Sequence, residues 1–206
     1  MKQTIDDHAD RFDRWAEEYD DADRPIYEAC RDRVIEDADP GPDDIVLDLG
    51  MGTGAVSLAL AEAAATVVGR DISDEMMGQA REKMATMNID NVSIDTGRFR
   101  APNYDGPADI VTSNYALHHL DDESKRSAID RIAQYRPRRF VLGDLMFFAE
   151  PDSAESGYDP EVDDPATVGL LTEAITDAGF VIVDVTRMSD HAGVITAEEP
   201  RGGWKT

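Results

Sequence analysis

Cysteine, lysine and long apolar runs are all scarce in this chain. Cys30 is the only cysteine, so internal disulfides and cysteine-based metal clusters are excluded. Placed in a helical segment, it reads as a quiet packing residue rather than a nucleophile. No stretch approaches the roughly 18 apolar residues of a membrane-spanning helix. The opening residues carry acids and Trp15 where a signal peptide would carry an apolar core. Positive charge is sparse: 20 Lys and Arg stand against 44 Asp and Glu, a net charge of −24 in 206 residues. The lysines are only Lys2, Lys83, Lys125 and Lys205. The acids are spread along the whole chain, and a field of that sign repels nucleic acid. Neither nucleic acid nor membrane is therefore expected as a partner. The same field repels itself at low salt, a penalty removed when molar salt shortens screening to about 3 Å. The composition fits the cytoplasm of a salt-accumulating halophile. Regular apolar strands argue against a disordered acidic chain, and the length suits one α/β domain with a full core.

The most informative stretch is Ile45-Val46-Leu47-Asp48-Leu49-Gly50-Met51-Gly52-Thr53-Gly54. An apolar strand ends in a turn of alternating glycines, and Ala55 to Ala65 then has helical composition. Strand, glycine turn and helix together hold a nucleotide-like ligand against bare backbone, because a Cβ would block both the turn and the ligand's approach. The loop also fits the loose dinucleotide pattern, so a nicotinamide-dependent oxidoreductase is one reading. Asp48 weighs against it: a carboxylate two residues before Gly50 repels phosphate and suits a ligand with positive charge, such as an amino acid or a sulfonium. The next strand, Thr66 to Asp71, also ends in an acid. About 20 residues past the glycines, Asp71 is placed to accept hydrogen bonds from both hydroxyls of a ribose. Ser73 or Asp74 caps the helix that runs to Met87. Arg70 is unexpected in a buried parallel strand, and is read as lying beside the ligand or reaching an edge.

The rest of the chain organises around this unit. Residues 1–39 read as a helical extension, with Phe12, Trp15, Ala16 and Tyr19, then Ile26, Cys30 and Ile35, at helical spacing. Residues 40–206 read as the ligand-binding domain. Strands are expected at 44–50, 66–71, 91–95, 108–113 and 138–144, with helices near 54–64, 74–87 and 121–135. That alternation predicts a doubly wound, mostly parallel α/β sheet. Residues 149–165 read as a mobile loop rich in Pro and acids. A helix from Ala166 to Ala178, a Gly179 stop and strands at 180–187 and 191–197 follow, the last two forming a hairpin around Met188-Ser189-Asp190.

The pattern Asp-x-Gly-x-Gly-x-Gly at 48–54 resembles the first motif of class I S-adenosylmethionine (SAM) dependent methyltransferases of the small-molecule type. Phe12-Asp13-Arg14-Trp15-Ala16-Glu17-Glu18-Tyr19-Asp20, the Asp71 strand and Ser113-Asn114-Tyr115-Ala116-Leu117-His118-His119-Leu120 are similar, in order, to segments of the YrrT-like methyltransferases. The resemblance implies a Rossmann-like sheet of seven strands with the last antiparallel, and SAM bound at the carboxyl ends of the strands. The cofactor-binding set expected is Tyr19, Asp48, Gly50, Gly52, Gly54, Asp71, Ile72, Arg98, Phe99 and Asn114. One position departs from the family: Arg98 stands where an acid accepts from the adenine amino group. Arg accepts no hydrogen bond; it is left to stack on adenine or pair with Asp95, with the Phe99 amide reaching the adenine edge.

Methyl transfer from a sulfonium is an in-line displacement that needs mainly alignment and exclusion of water. The opening helix is a candidate lid, its Trp15 and Tyr19 rings suited to a sulfonium by cation–π attraction, or else core residues of an amphipathic helix. An acceptor that loses a proton needs a base, and His118, His119 and Asp144 at the ends of the fourth and fifth strands are the catalytic candidates. No metal site is expected, since adjacent side chains rarely converge and the sequence marks no third ligand. His8 and His191 carry no motif. A SAM-binding protein without catalysis remains a second reading. The segment Ser113-Asn114-Tyr115-Ala116 lacks the Pro-Pro signature of enzymes acting on DNA amino groups, so the acceptor is expected to be a small molecule.

Overall fold

In the computed structural model, residues 4–149, 158, 159 and 161–200 are described. Three helical pieces open the chain: α1 (Ile5–Trp15), a 3-10 turn (Ala16–Asp21) and α2 (Pro25–Ala38). Thr4 and Asp7 form a reciprocal capping box at the start of α1, and Pro25 opens α2 where its missing N–H costs nothing. Strand and helix then alternate: β1 (Ile45–Leu49), α3 (Ala55–Leu60), β2 (Thr66–Asp71), α4 (Asp74–Met87), β3 (Val92–Thr96), β4 (Ile110–Asn114), a 3-10 turn (Leu117–His119), α5 (Asp122–Gln134) and β5 (Arg139–Phe147). The chain ends with β6 (Ala166–Thr167), α6 (Val168–Asp177), β7 (Val181–Ser189) and β8 (Ala192–Glu198).

The sheet order is β3-β2-β1-β4-β5-β8-β7. The first five strands pair in parallel, and β8 runs antiparallel to both neighbours. Strand order reverses between β1 and β4, and a ligand crevice is expected outside the carboxyl ends there. The predicted hairpin at 188–190 is present as β7–β8. Ser73, not Asp74, caps α4, and Gly179 at φ +99° follows the end of α6.

Alternation along the strands builds two cores. Leu47, Leu49, Val111, Phe140 and Leu142 meet Ile129, Ile132, Leu171 and Ile175 of α5 and α6 on one face. Val46, Val67, Ile110 and Val141 meet Cys30, Val34 and Ala38 of α2 and Val56 and Leu60 of α3 on the other. Cys30 is fully buried, and burial pushes its thiol up to about 12, so it is inert packing. In α1 only His8 is buried. No helix among the described residues is long and apolar enough to cross a membrane.

Two local expectations are corrected. The helix expected from Ala166 begins at Val168, because Ala166 and Thr167 first pair with Met146 and Phe147 as β6; the Thr167 hydroxyl then accepts from the Leu170 amide and caps α6. Arg70 points to neither ligand nor edge. Its buried guanidinium donates to the carbonyls of Gly69 (2.8 Å), Pro102 (3.1 Å) and Asn103 (3.4 Å), pinning the loop after β3 to β2. A buried cation is tolerated because these carbonyls replace water.

Candidate active site

The turn between β1 and α3 needs its glycines for different reasons. Gly50, Gly52 and Gly54 have φ of +74°, +54° and +86°, a region costly for other residues. A Cβ on Gly50 would stand 2.3 Å from the Cβ of Ala116. One on Gly52 would meet nothing within 4 Å, and there the backbone borders open cavity. One on Gly54 would press on Ala80 and Leu58, so this glycine lets α3 close on α4 and does not line the cavity. The amides of Gly50 and Met51 both donate to the carbonyl of Arg70 (2.8 and 3.1 Å), tying the turn to β2.

Two carboxylates sit under and beside this turn. Asp48 is buried; its oxygens accept from the hydroxyls of Ser57 (2.6 Å) and Thr112 (2.9 Å). Burial pushes it up to about 6 against the pull of those hydroxyls. Asp71 accepts from the amides of Gly52 (2.7 Å), Ile72 (2.7 Å) and Ser73 (3.0 Å). Burial also raises Asp71, and the same amides oppose the shift.

Above the strand ends lies a cavity of about 250 Å³, lined by Tyr19, Asp48, Gly50, Gly52, Asp71, Ile72, Arg98, Phe99, Asn114 and His119. These residues, named from the sequence, thus converge on one space, whereas the catalytic candidates His118 and Asp144 are buried and do not line it. At the end of β4 the Asn114 side chain is buried, with neither its Oδ1 nor its Nδ2 hydrogen-bonded. An orphaned amide of this kind is costly unless a ligand completes it. The next residue, Tyr115, is held at φ +52°, a strained conformation typical of functional sites.

A histidine cluster that borders the cavity through His8, His119 and Asp163 was not foreseen as a unit. His118 is buried; its Nδ1 is hydrogen-bonded to Asp144 Oδ1, which also accepts from the Leu145 amide (2.9 Å). Its Nε2 stands 3.7 Å from Asp163 Oδ1, and His119 Nδ1 stands 3.2 Å from the same oxygen. Burial, then the neighbouring His118, push His119 down to about 4. Burial also lowers His8, whose ring is centred 5.1 Å from that of His119. Asp163 arrives on the segment before β6, which two bonds fix in place. The Asp164 amide donates to the His118 carbonyl (2.7 Å), and buried Lys125 donates to the carbonyls of Asp164 (2.5 Å) and Leu120 (2.5 Å). The expected mobile loop is therefore docked over 161–165; residues 150–157 and 160 of it lie outside the described residues.

Three sequence expectations are corrected here. Arg98 pairs with Asp6 of α1 (3.4 Å), not Asp95, because α1 crosses its side of the cavity; Asp95 accepts instead from Asn103 and the Thr96 amide. The rings of Trp15 and Tyr19 already meet a cation of the chain itself: with Tyr27 they surround Arg24, whose guanidinium lies 4.0 Å from the Tyr19 centroid and 4.3 Å from that of Tyr27, while Tyr19 also lines the cavity. Adjacent His118 and His119 do converge, because the tight 3-10 turn brings both toward Asp163. His8 was passed over although its four-residue spacing from Phe12 places both on one face of α1; both line the cavity.

Polar latches hold α1 and its following turn over the site. Ser73 Oγ donates to Asp13 (2.6 Å), Thr53 Oγ1 donates to Asp20 (2.8 Å), and Lys83 bridges Asp20 and the Thr53 carbonyl.

The sheet order, the glycine turn and the cavity at the strand ends define a Rossmann-like nucleotide-binding enzyme class. The family described as methyltransferase domain matches residues 46–136. An uncharacterised methyltransferase of Geobacillus sp. (strain WCH70) is 30% identical over 193 residues, covering 86% of this chain and 88% of the relative. The uncharacterised methyltransferase YrrT of Bacillus subtilis (strain 168) is 30% identical over 210 residues, covering 90% and 95%. The chain belongs to the methyltransferase family of these relatives, and its sheet order is that of the class I fold. Its fold is similar to that of magnesium protoporphyrin IX methyltransferase from Synechocystis PCC 6803 with bound S-adenosylhomocysteine (SAH). There the TM-score is 0.72 at 22% identity, over 93% of this chain and 95% of that one.

Proposed function

We propose that this enzyme uses SAM to methylate a small-molecule acceptor by in-line displacement inside this cavity. The observation that carries this reading is the two-walled site: glycine turn, Asp71 and orphaned Asn114 on one side, the histidine cluster on the other. The residues present fit SAM. Gly50 and Gly52 offer bare backbone, Asp71 has carboxylate oxygens for the ribose hydroxyls, and the Asn114 amide gains the partner it lacks. Asp48 places a titrating carboxylate under the turn, which favours a positively charged ligand. Bound SAM supplies a methyl carbon already activated by its sulfonium. The chain's own contribution is positioning, which can be worth roughly 7–11 kcal/mol, and exclusion of water by α1 and the turn after it, the lid in this reading.

His119 and Asp163 face the acceptor and prepare its nucleophile, and buried His118, oriented by Asp144, supports them from behind. The cover of α1 and the charge of −24 favour a compact, non-nucleic acceptor. The test is calorimetry with SAH, followed by transfer of labelled methyl from SAM to a panel of small hydroxyl, thiol, carboxyl and amine acceptors. SAH binding without transfer to any of them would favour the non-catalytic SAM-binding reading, and no SAH binding would remove both. Residence in a salt-rich cytoplasm is part of this proposal, motivated by 44 acids against 20 basic residues. The melting temperature should rise from low to molar potassium chloride as screening shortens from about 10 Å to about 3 Å; a flat or falling profile would overturn it.

A further inference from the structure

We propose that His118, His119 and Asp163 form a binding site for a divalent transition-metal ion of zinc type, placed on the acceptor wall of the cavity. The ligand atoms of these three residues lie within 4.8 Å of one another. Ligands bound tetrahedrally at about 2.0–2.1 Å from zinc stand roughly 3.3–3.4 Å apart. The observed 3.2 Å from His119 Nδ1 to Asp163 Oδ1 and 3.7 Å from His118 Nε2 to the same oxygen bracket that edge. Two imidazoles and one carboxylate suit zinc-like ions rather than magnesium or calcium, which prefer all-oxygen sites.

The surroundings of the cluster support the same assignment. Asp144 holds the Nδ1 side of His118, which fixes the proton there and leaves the Nε2 lone pair facing Asp163. A carboxylate behind a ligating histidine is the usual support of a metal site. The residue after the third ligand, Asp164, is tied to the buried ammonium of Lys125 and the His118 carbonyl, and the Asp163 amide donates to the Asp159 carbonyl, which together hold Asp163 in place. His8 is 93% buried (7% exposed), its Nδ1 has no hydrogen-bond partner, and its ring packs beside His119. Three protein ligands leave a position open, as in catalytic rather than structural zinc sites. His119 and Asp163 line the cavity, so that position faces the acceptor. The acceptor class that fits is a small molecule with an oxygen or sulfur donor beside the atom to be methylated. This use of the ion rests on the methyl-transfer reading; its binding does not.

The test is titration of chelator-treated full-length protein with Co²⁺, read by visible absorption. The expected result is one ion per chain with the intense bands of a tetrahedral site, displaced by Zn²⁺. His119→Ala and Asp163→Ala should each weaken uptake at least tenfold. Asp144→Asn should weaken it about 10–100-fold, the usual effect of losing such a support. His191→Ala, outside the cluster, should leave uptake unchanged. SAH calorimetry on every variant reports its fold, and the wild-type spectrum and stoichiometry stand without any variant. Weak octahedral spectra that are the same in wild type and variants, meaning ions on the acidic surface only, would overturn the proposal. So would absence of uptake. Tetrahedral uptake without SAH binding would uphold the metal site and sink the methyl-transfer reading.

Discussion

The two walls of the cavity are built by different means. The wall proposed for the cofactor comes from short local units: the turn after β1, the end of β2 and the end of β4, locked by main-chain bonds such as those of Gly50 and Met51 to the Arg70 carbonyl. The acceptor wall comes from four separate places: His8 on α1, His118 and His119 after β4, Asp144 on β5, and Asp163 before β6. Side chains and a buried lysine hold it together. The first wall is thus fixed through main chain at strained glycines, whereas the second is fixed through side chains. That division matches what a shared cofactor and a variable acceptor require.

The sharpest way to break the comparison is Gly50→Ala. The added Cβ meets the Cβ of Ala116 at 2.3 Å, and φ is +74°. Strain and overpacking together should cost about 2–4 kcal/mol of stability, measured by urea unfolding, with SAH binding lost. Near-normal SAH affinity would show that the turn is not the rigid element described here.

Asp48→Asn examines the same wall through pH. Asp48 titrates at about 6 in the folded chain against an ordinary 3.8. The native state therefore binds this proton more tightly than the unfolded state does. Its contribution to stability is full below about 3.8, falls as pH rises toward 6, and stays at its lowest above that. The displacement corresponds to relief on the order of 3 kcal/mol, partly offset because an amide serves the Ser57 and Thr112 hydroxyls less well. The variant should melt higher than wild type at pH 7.5, and the gain should vanish near pH 4. A gain that persists at pH 4 would mean that burial of the charge is not its source.

Asp71→Ala should weaken SAH binding by about 1.5–3 kcal/mol, the value of hydrogen bonds to a charged group, as read by calorimetry. Unchanged affinity would remove Asp71 from the ribose and leave it only as the acceptor for the Gly52 amide.

The same contrast explains what was legible in the sequence. Glycine turns, strand ends and caps are local, so the Asp48–Gly54 turn, Asp71, the Ser73 cap and the β7–β8 hairpin all carried their own signals. The doubly wound, mostly parallel sheet followed from alternation, and its antiparallel last strand from the resemblance. The role of Asp163 was invisible, because only the path of the chain through β6 and Lys125 brings it to His118. Arg24 was equally hidden: nothing in the spacing of Trp15, Tyr19 and Tyr27 says that a cation from the same chain fills the space among them. Two-residue β6 is shorter than any periodicity can register.

The smallest effect marks where the two walls meet. Arg98 lines the cavity yet pairs with Asp6 of α1, with side chains 53% and 90% exposed at 3.4 Å. Exposed pairs contribute roughly 0–1 kcal/mol and are screened by salt. Arg98→Ala should therefore loosen α1 slightly and weaken SAH binding by about fivefold at most in low salt, with the difference lost in molar potassium chloride. A larger loss that salt does not erase would show the guanidinium touching the cofactor. Arg98 would then belong to the cofactor wall, as a replacement for the family's adenine-binding acid rather than a latch on the lid.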